Sequence, residues 1–227
     1  MSYSTAIYRD APAINQAMGR VYFHMMCAVL VSMFVSAVVG TNHHLVEFFF
    51  TGVMKWVVIF APLAFVFVVP IILNSKPPAP VAVLTLHGFA AIMGLSFATI
   101  FVVYTIGSIM TAFMGAAVLF GTMSVYGYFT KKSLDSFGKY LFIALIAIII
   151  ASVINIFIGS TVFQMVISAI AIVVFLGLTA YDTQQIREMV TRDSGIAEEI
   201  MGALTLYLDF INLFISLLQI IGVKKDD

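Results

Sequence analysis

The chain of 227 residues is 62% hydrophobic and only 10% charged, against roughly 25% charged in an ordinary soluble domain, so it reads as an integral membrane protein. Its formal net charge is zero, and the sequence gathers no concentrated basic surface of the kind that phosphate binding requires, which excludes nucleic acid as a partner. The single cysteine, Cys27, rules out an internal disulfide or an all-cysteine metal cage and reads as small apolar filler.

The segment 1–20, with Arg9, Asp10 and Arg20, precedes the apolar stretch Val21–Gly40. That stretch is longer than the roughly 7 to 15 residues of a signal-peptide core, and no small-residue cleavage site closes it, so it reads as a retained first span. About twenty apolar residues cross the hydrocarbon as a helix, a criterion that predicts seven spans: 21–40, 54–73, 81–104, 108–129, 138–158, 161–182 and 201–222. Residues 21–222 thus read as a single all-α, seven-helix transmembrane domain, with 1–20 ahead of it and a short charged tail at 223–227. Thr41-Asn42-His43-His44, Asn74-Ser75-Lys76-Pro77-Pro78-Ala79-Pro80 and Lys131-Lys132-Ser133-Leu134-Asp135 are breaker or charged segments between spans, and Gly107 and Gly159-Ser160 mark tight hairpins. His43 and His44 are therefore expected in a solvated loop, and Lys55 beside Trp56 reads as an interfacial anchor.

In the second span Pro62 and Pro70 remove two helical donors, so the helix is expected to kink or to have its freed carbonyls met by neighbouring helices or water. Small residues four apart predict seams where helices close on one another: Ala90, Gly94 and Ala98 in the third span, Ser108, Ala112 and Ala116 in the fourth, and Ala147, Ala151, Asn155 and Gly159 in the fifth. Of the 11 lysines and arginines, all but Lys55, Lys224 and Lys225 fall on the amino-terminal side. That bias sets the amino terminus in the cytoplasm.

Asp209 sits inside Ala203–Ile215, a run otherwise apolar enough to cross a bilayer. An ionisable side chain at that depth costs about 2.5 to 3.5 kcal/mol on insertion scales and is turned inward and paired. The acid in a matching apolar setting is Asp182. Asp193-Ser194-Gly195 supplies a turn between the last two spans, Ser194 a cap, and Glu198 and Glu199 fall in the first turns of the last helix, where its dipole favours negative charge. A hairpin folded about Gly195 leaves both carboxylates about 20 Å from the turn at roughly 1.5 Å per residue, side by side. Gly202, Thr205, Asp209, Asn212, Ser216 and Gln219 follow a three-four spacing and form one polar stripe on the last helix, while Gln164, Ser168, Thr179 and Asp182 share a narrow sector of the sixth. Facing stripes predict a water-accessible path, because lipid offers such groups no partner, and they place the last helix at the centre of the bundle. Two carboxylates in contact in a low dielectric share one proton and titrate as a unit, near neutrality. Their oxygens also suit transient contact with a hard cation such as calcium.

Ala180-Tyr181-Asp182-Thr183-Gln184-Gln185-Ile186 and, with greater specificity, Leu204–Leu218 resemble the last two helices of the Bax inhibitor-1 (transmembrane Bax-inhibitor-motif) family, bacterial branch. The likeness in span number and loop placement runs over essentially the whole chain. The resemblance implies a seven-helix bundle in the inner membrane, six helices wrapped around the seventh, and a pH-sensitive calcium leak in which Asp182 and Asp209 are the proton-sensing pair and no cofactor takes part. It also implies a basic latch onto the first aspartate from the cytoplasmic end of the second helix. That position falls near Lys76, a point charge without arginine's bidentate fork. Some members carry an acid within the second helix and a base late in the seventh, and here those neighbourhoods hold Phe65 and Gln219.

Three readings compete. In a passive ion pathway, Asp182 and Asp209 are sensor and gate, and Thr205, Asn212, Ser216 and Gln219 line the route. In an interaction protein that restrains a membrane-embedded partner, as some relatives modulate a membrane protease, the aspartates are dispensable. An intramembrane aspartyl protease would also use paired acids, but neither Gly-Tyr-Asp nor Gly-x-Gly-Asp surrounds them, so the chain reads as a non-enzyme. His24 and His87 fall in or near spans without a ligand-spaced carboxylate or second histidine, and no histidine metal site is expected.

Overall fold

The computed structural model describes residues 10–192 and 195–225. Arg9, the Asp193-Ser194 part of the predicted turn with its Ser194 cap, and Asp226-Asp227 of the tail lie outside the described residues. Within them the chain is helical, as α1 (Ala11–Gly40), α2 (His43–Phe50), α3 (Met54–Asn74), α4 (Ala79–Ser96), α5 (Ala98–Val103), α6 (Ile106–Phe129), α7 (Asp135–Ile158), α8 (Thr161–Thr191) and α9 (Ile196–Ile221). Counting α4 and α5 together, seven stretches are long and apolar enough to cross a membrane, which is the all-α, seven-span class read from composition.

Local chemistry sets the helix ends. Asp10 caps α1 by accepting from the Ala13 amide at 3.1 Å, with Pro12 in the first turn where its missing N–H costs nothing. The helices differ from the hydropathy reading in several places. α1 begins at Ala11 rather than 21 and α8 runs on to Thr191, because hydropathy marks the apolar core of a helix and not the polar turns that extend it beyond the hydrocarbon. Asn42 accepts from the amides of His44 and Leu45 and so starts the short helix α2. His43 and His44 are exposed as expected, but they open a helix instead of lying in a loop. The third span is interrupted at Phe97, between α4 and α5.

Two compact units result, the first running up to Val102 and taking in Gln185–Tyr207, the second taking in Val103–Gln184 and continuing from Leu208. In the first, Gly94 lies so close to α1 that an added Cβ would stand 2.5 Å from the Ser32 carbonyl oxygen, the close approach expected of the small-residue seam. α3 runs unbroken through both prolines. Pro62 cannot donate to the carbonyl of Val58, and Ser96 Oγ at the end of α4 donates to that oxygen instead, at 2.6 Å. Ser96→Ala is expected to leave this buried carbonyl unmet and lower stability by about 1 to 3 kcal/mol, read as a fall in melting temperature in detergent; an unchanged melting temperature would show that water fills the place of the hydroxyl.

In the second unit Ser108, Ala112 and Ala116 are buried, as their spacing predicts. The stripe proposed for α7 is a seam only in part, with Asn155 buried and Ala151 half-buried. Ala147 and Gly159 are exposed, and Gly138 and Asn155 are the buried residues of that helix and its cap. Alanine's small size is here simply compatible with lipid. The last helix is the most deeply packed of the seven: 56% of its most apolar stretch is buried, against 6% to 33% for the others. It is the central helix.

Candidate functional site

Asp209 lies midway along α9 and is 4% exposed, while Asp182, two turns before the end of α8, is half-buried. Their carboxyl groups are hydrogen-bonding neighbours. Asp209 Oδ2 is buried, and among the described residues no donor reaches it. Two ionised carboxylates have no proton to offer each other, so the hydrogen bond between them exists only when one proton sits between the two acids. A buried acceptor left without one costs about 1 to 3 kcal/mol, more if charged.

The residues flanking Asp182 are each held. Ala180 lies against Gly127 of α6, where an added Cβ would come within 2.9 Å of its Cα, and the Tyr181 ring covers Gly138 of α7. Thr183 Oγ1 and Ser124 Oγ are 3.0 Å apart. Gln184 spans the α6–α7 connection, its Nε2 donating to the Lys132 carbonyl at 3.0 Å and its Oε1 accepting from the Leu134 amide at 2.8 Å. Behind Asp209, Phe210 packs edge-on against Phe113 and Phe120.

The predicted stripe is realised in pieces. Thr205 Oγ1 and Asn212 Nδ2 donate to carbonyls of their own helix, Met201 at 3.2 Å and Leu208 at 2.7 Å. Ser216 is buried. Gln219 Oε1 accepts from Gln164 Nε2 at 3.0 Å and from Ser168 Oγ at 2.6 Å, so α8 and α9 do face each other with polar groups near that end. In the first unit, Lys76 Nζ pairs with Glu198 Oε1 at 2.9 Å: the partner of the expected latch is this acid in the first turn of α9. Glu198 Oε2 in turn accepts from the Gly195 amide at 3.0 Å, the reach-back of a capping box. Arg20 grips Glu199 with a two-pronged contact, Nε to Oε2 at 2.7 Å and a terminal nitrogen to Oε1 at 2.6 Å. The charge of both glutamates, read from sequence as favouring the helix dipole, is thus also met by cations.

His24 and His87, expected to stand alone, face each other with ring centroids 6.1 Å apart. His87 Nδ1 donates to the Val83 carbonyl at 2.8 Å. Among the described residues, however, no three of histidine, cysteine, aspartate and glutamate gather into a set that could hold a metal ion.

The family model described as "Inhibitor of apoptosis-promoting Bax1" matches residues 14–226. The chain belongs to the Bax inhibitor-1 family. Its relatives include "Inner membrane protein YbhL" of Escherichia coli strain K12, 38% identical over 98% of this chain and 97% of that protein. A Borreliella burgdorferi protein is 34% identical over 94% of both chains, and one from Deinococcus radiodurans is 41% identical over 73% of both. Within this Bax inhibitor-1 chain the groups that sequence reading missed are Gly127, Gly138, Ser124 and Gln184, which position Asp182, and the Tyr207 hydroxyl, 2.6 Å from Ser32 Oγ in the first unit. Polar residues in the motifs were a signal for Gln184 and Tyr207. The glycines carried none, because only the neighbouring backbone reveals that a side chain has no room.

Proposed function

We propose that the chain is a pH-sensitive leak for calcium, or a cation like it, in a bacterial inner membrane, with Asp182 and Asp209 as sensor and gate and the amino terminus in the cytoplasm. The observation that carries this reading is the hydrogen-bonding contact between the Asp182 and Asp209 carboxyl groups, with Asp209 Oδ2 buried and without a donor among the described residues. Sharing one proton draws the two acids together; losing it leaves two like charges in contact, which forces them apart or invites a cation between them. Calcium is cargo here, in passing contact with two carboxylates rather than resident in a full oxygen cage. Asn212, Ser216 and Gln219 continue the polar path along α9, Thr205 extends it toward the amino-terminal end, and the pairing of Lys76 with Glu198 tethers that end. The inner-membrane assignment follows the name of the Escherichia coli relative, and the orientation follows the distribution of lysine and arginine.

The reading is tested with purified protein in liposomes loaded with a calcium dye. Calcium entry through the native chain is expected to change severalfold between about pH 6 and pH 8, since a titrating group shifts its ionised-to-neutral ratio about tenfold per unit. Entry equal to that of empty liposomes, or indifferent to pH, would reject it. A second reading, restraint of a membrane-embedded protein such as a protease, has one observation on its side: only 6% of the apolar stretch of α7 is buried, leaving that helix open to a lateral partner.

A further inference from the structure

α7 and α8 are joined by a tight reversal. Gly159 takes the left-handed conformation at φ 69°, and Ser160 caps α8 by accepting from the Phe163 amide at 3.2 Å. Beside this reversal lies a cavity of about 360 Å³, apart from the aspartate pair and sharing only Gln219 with the path proposed above.

Its floor is a network of carboxamides. Asn155 Nδ2 donates to Gln164 Oε1 at 3.0 Å, Gln164 Nε2 donates to Gln219 Oε1 at 3.0 Å, and Asn155 Oδ1 accepts from the Ser160 amide at 3.2 Å. The three amide oxygens are therefore all engaged, whereas the Gln219 Nε2 donor is not used within the network. Lys224 adds a cation at the rim, and no carboxylate among the described residues lines the space. Lys224 is not a loose tail residue. Val223 O accepts from the Thr105 amide at 3.0 Å, the Lys225 amide donates to Val103 O at 2.9 Å, and Tyr104 and Lys224 form an antiparallel bridge. Backbone bonds on both sides thus hold the lysine in place. The 31-residue helix α8 begins at Thr161 in the same wall, and since the Phe163 and Gln164 amides already donate to Ser160, the Thr161 and Val162 amides are the leading ones left without a partner within the helix. Spare donors, engaged acceptors and one positive charge select an anion.

The remaining wall is apolar and faces outward: Ile156 is 77% exposed and Met165 46%, on helices that read as membrane spans. A small soluble anion gains nothing from that wall, whereas an amphiphile places an acyl chain along it. We infer that this cavity binds the phosphate of an anionic phospholipid, with Lys224, Gln219 Nε2 and the first turn of α8 on the phosphate and the Ile156–Met165 wall on the chain. A choline headgroup would bring a cation that no carboxylate among the described residues of this lining meets.

The test uses the full chain with its one tryptophan removed (Trp56→Phe) and a reporter placed in the lipid-facing wall (Ile156→Trp), reconstituted with brominated phosphatidylglycerol or brominated phosphatidylcholine. Quenching is expected to favour phosphatidylglycerol about fivefold, the contribution of one lysine near an anionic headgroup, and Lys224→Gln should bring the ratio close to one. Equal quenching by the two lipids, or a preference that survives Lys224→Gln, overturns the inference. Loss of the preference in millimolar inorganic phosphate overturns the lipid assignment in favour of a free anion. Native mass spectrometry of the unaltered chain reads the same question should the reporter variant not fold: retained phosphatidylglycerol, lost with Lys224→Gln, supports the site, and retention indifferent to headgroup charge rejects it.

Discussion

Asp209→Asn should flatten the pH profile of calcium entry into liposomes, leaving rates at about pH 6 and pH 8 nearly equal where the native chain differs severalfold. The substitution keeps the shape of the side chain but replaces one carboxylate oxygen by an amide nitrogen that can donate to Asp182 at any pH. The bridge between the helices then no longer waits for a proton. Because two acids in contact titrate together and not separately, Asp182→Asn should remove the same dependence, and the double substitution should add little to either single one. That non-additivity, the mark of groups acting as a unit, distinguishes a shared proton from two independent charges along a path. A retained native pH slope in Asp209→Asn, in protein whose melting temperature shows it folded, would sink the pair as sensor. A uniform loss of flux at every pH with the slope intact would make Asp209 a lining residue only.

The architecture was legible because the bilayer imposes it. With no water to meet backbone groups, apolar runs of about twenty residues have little choice but helix, so seven spans could be read from hydropathy alone. The carboxylate pair was legible for a related reason: Asp209 in an apolar run demands a partner, and counting residues back through a hairpin names Asp182. What hydropathy could not show is where polar turns continue a helix. Thus α1 reaches back to Ala11, α8 reaches Thr191, and Asn42 nucleates α2 in a segment read as a break. Spacing also failed to separate packing from tolerance. Ala112 and Ala116 are buried while Ala147, at the same four-residue spacing in its own helix, faces outward, because in lipid an exposed alanine carries no penalty. Lys76 was expected as a latch onto Asp182, whereas the structure pairs it with Glu198, because the first turn of α9 presents that acid to it.

Gly127→Val is expected to unfold or severely destabilise the chain, while Gly121→Val on the same helix leaves it intact. The two glycines lie within α6 less than two turns apart, and the same residue is introduced, so helix propensity contributes equally to both. They differ in what a side chain meets. At Gly121 nothing stands within 4 Å of an added Cβ, whereas at Gly127 the Ala180 carbonyl oxygen, carbonyl carbon and Cα already occupy the place, the last two at 2.9 Å. Those atoms are backbone of α8 and cannot rotate away as the end of a long side chain would. Relief therefore requires α8 to move bodily from α6, which breaks the contact between Thr183 and Ser124 and loosens Gln184 from the α6–α7 connection. Overpacking of a well-filled core costs about 1 to 3 kcal/mol and occasionally more, and an immovable backbone neighbour puts Gly127 at the upper end of that range. Melting temperatures in detergent compare the two variants directly. In liposomes, any Gly127→Ala protein that folds carries Asp182 on a displaced helix, so its calcium entry should lose pH dependence even though both aspartates remain. A Gly127→Val protein as stable as Gly121→Val would mean that α6 and α8 are not in contact at this point, and that Asp182 is positioned by something other than its packed neighbours.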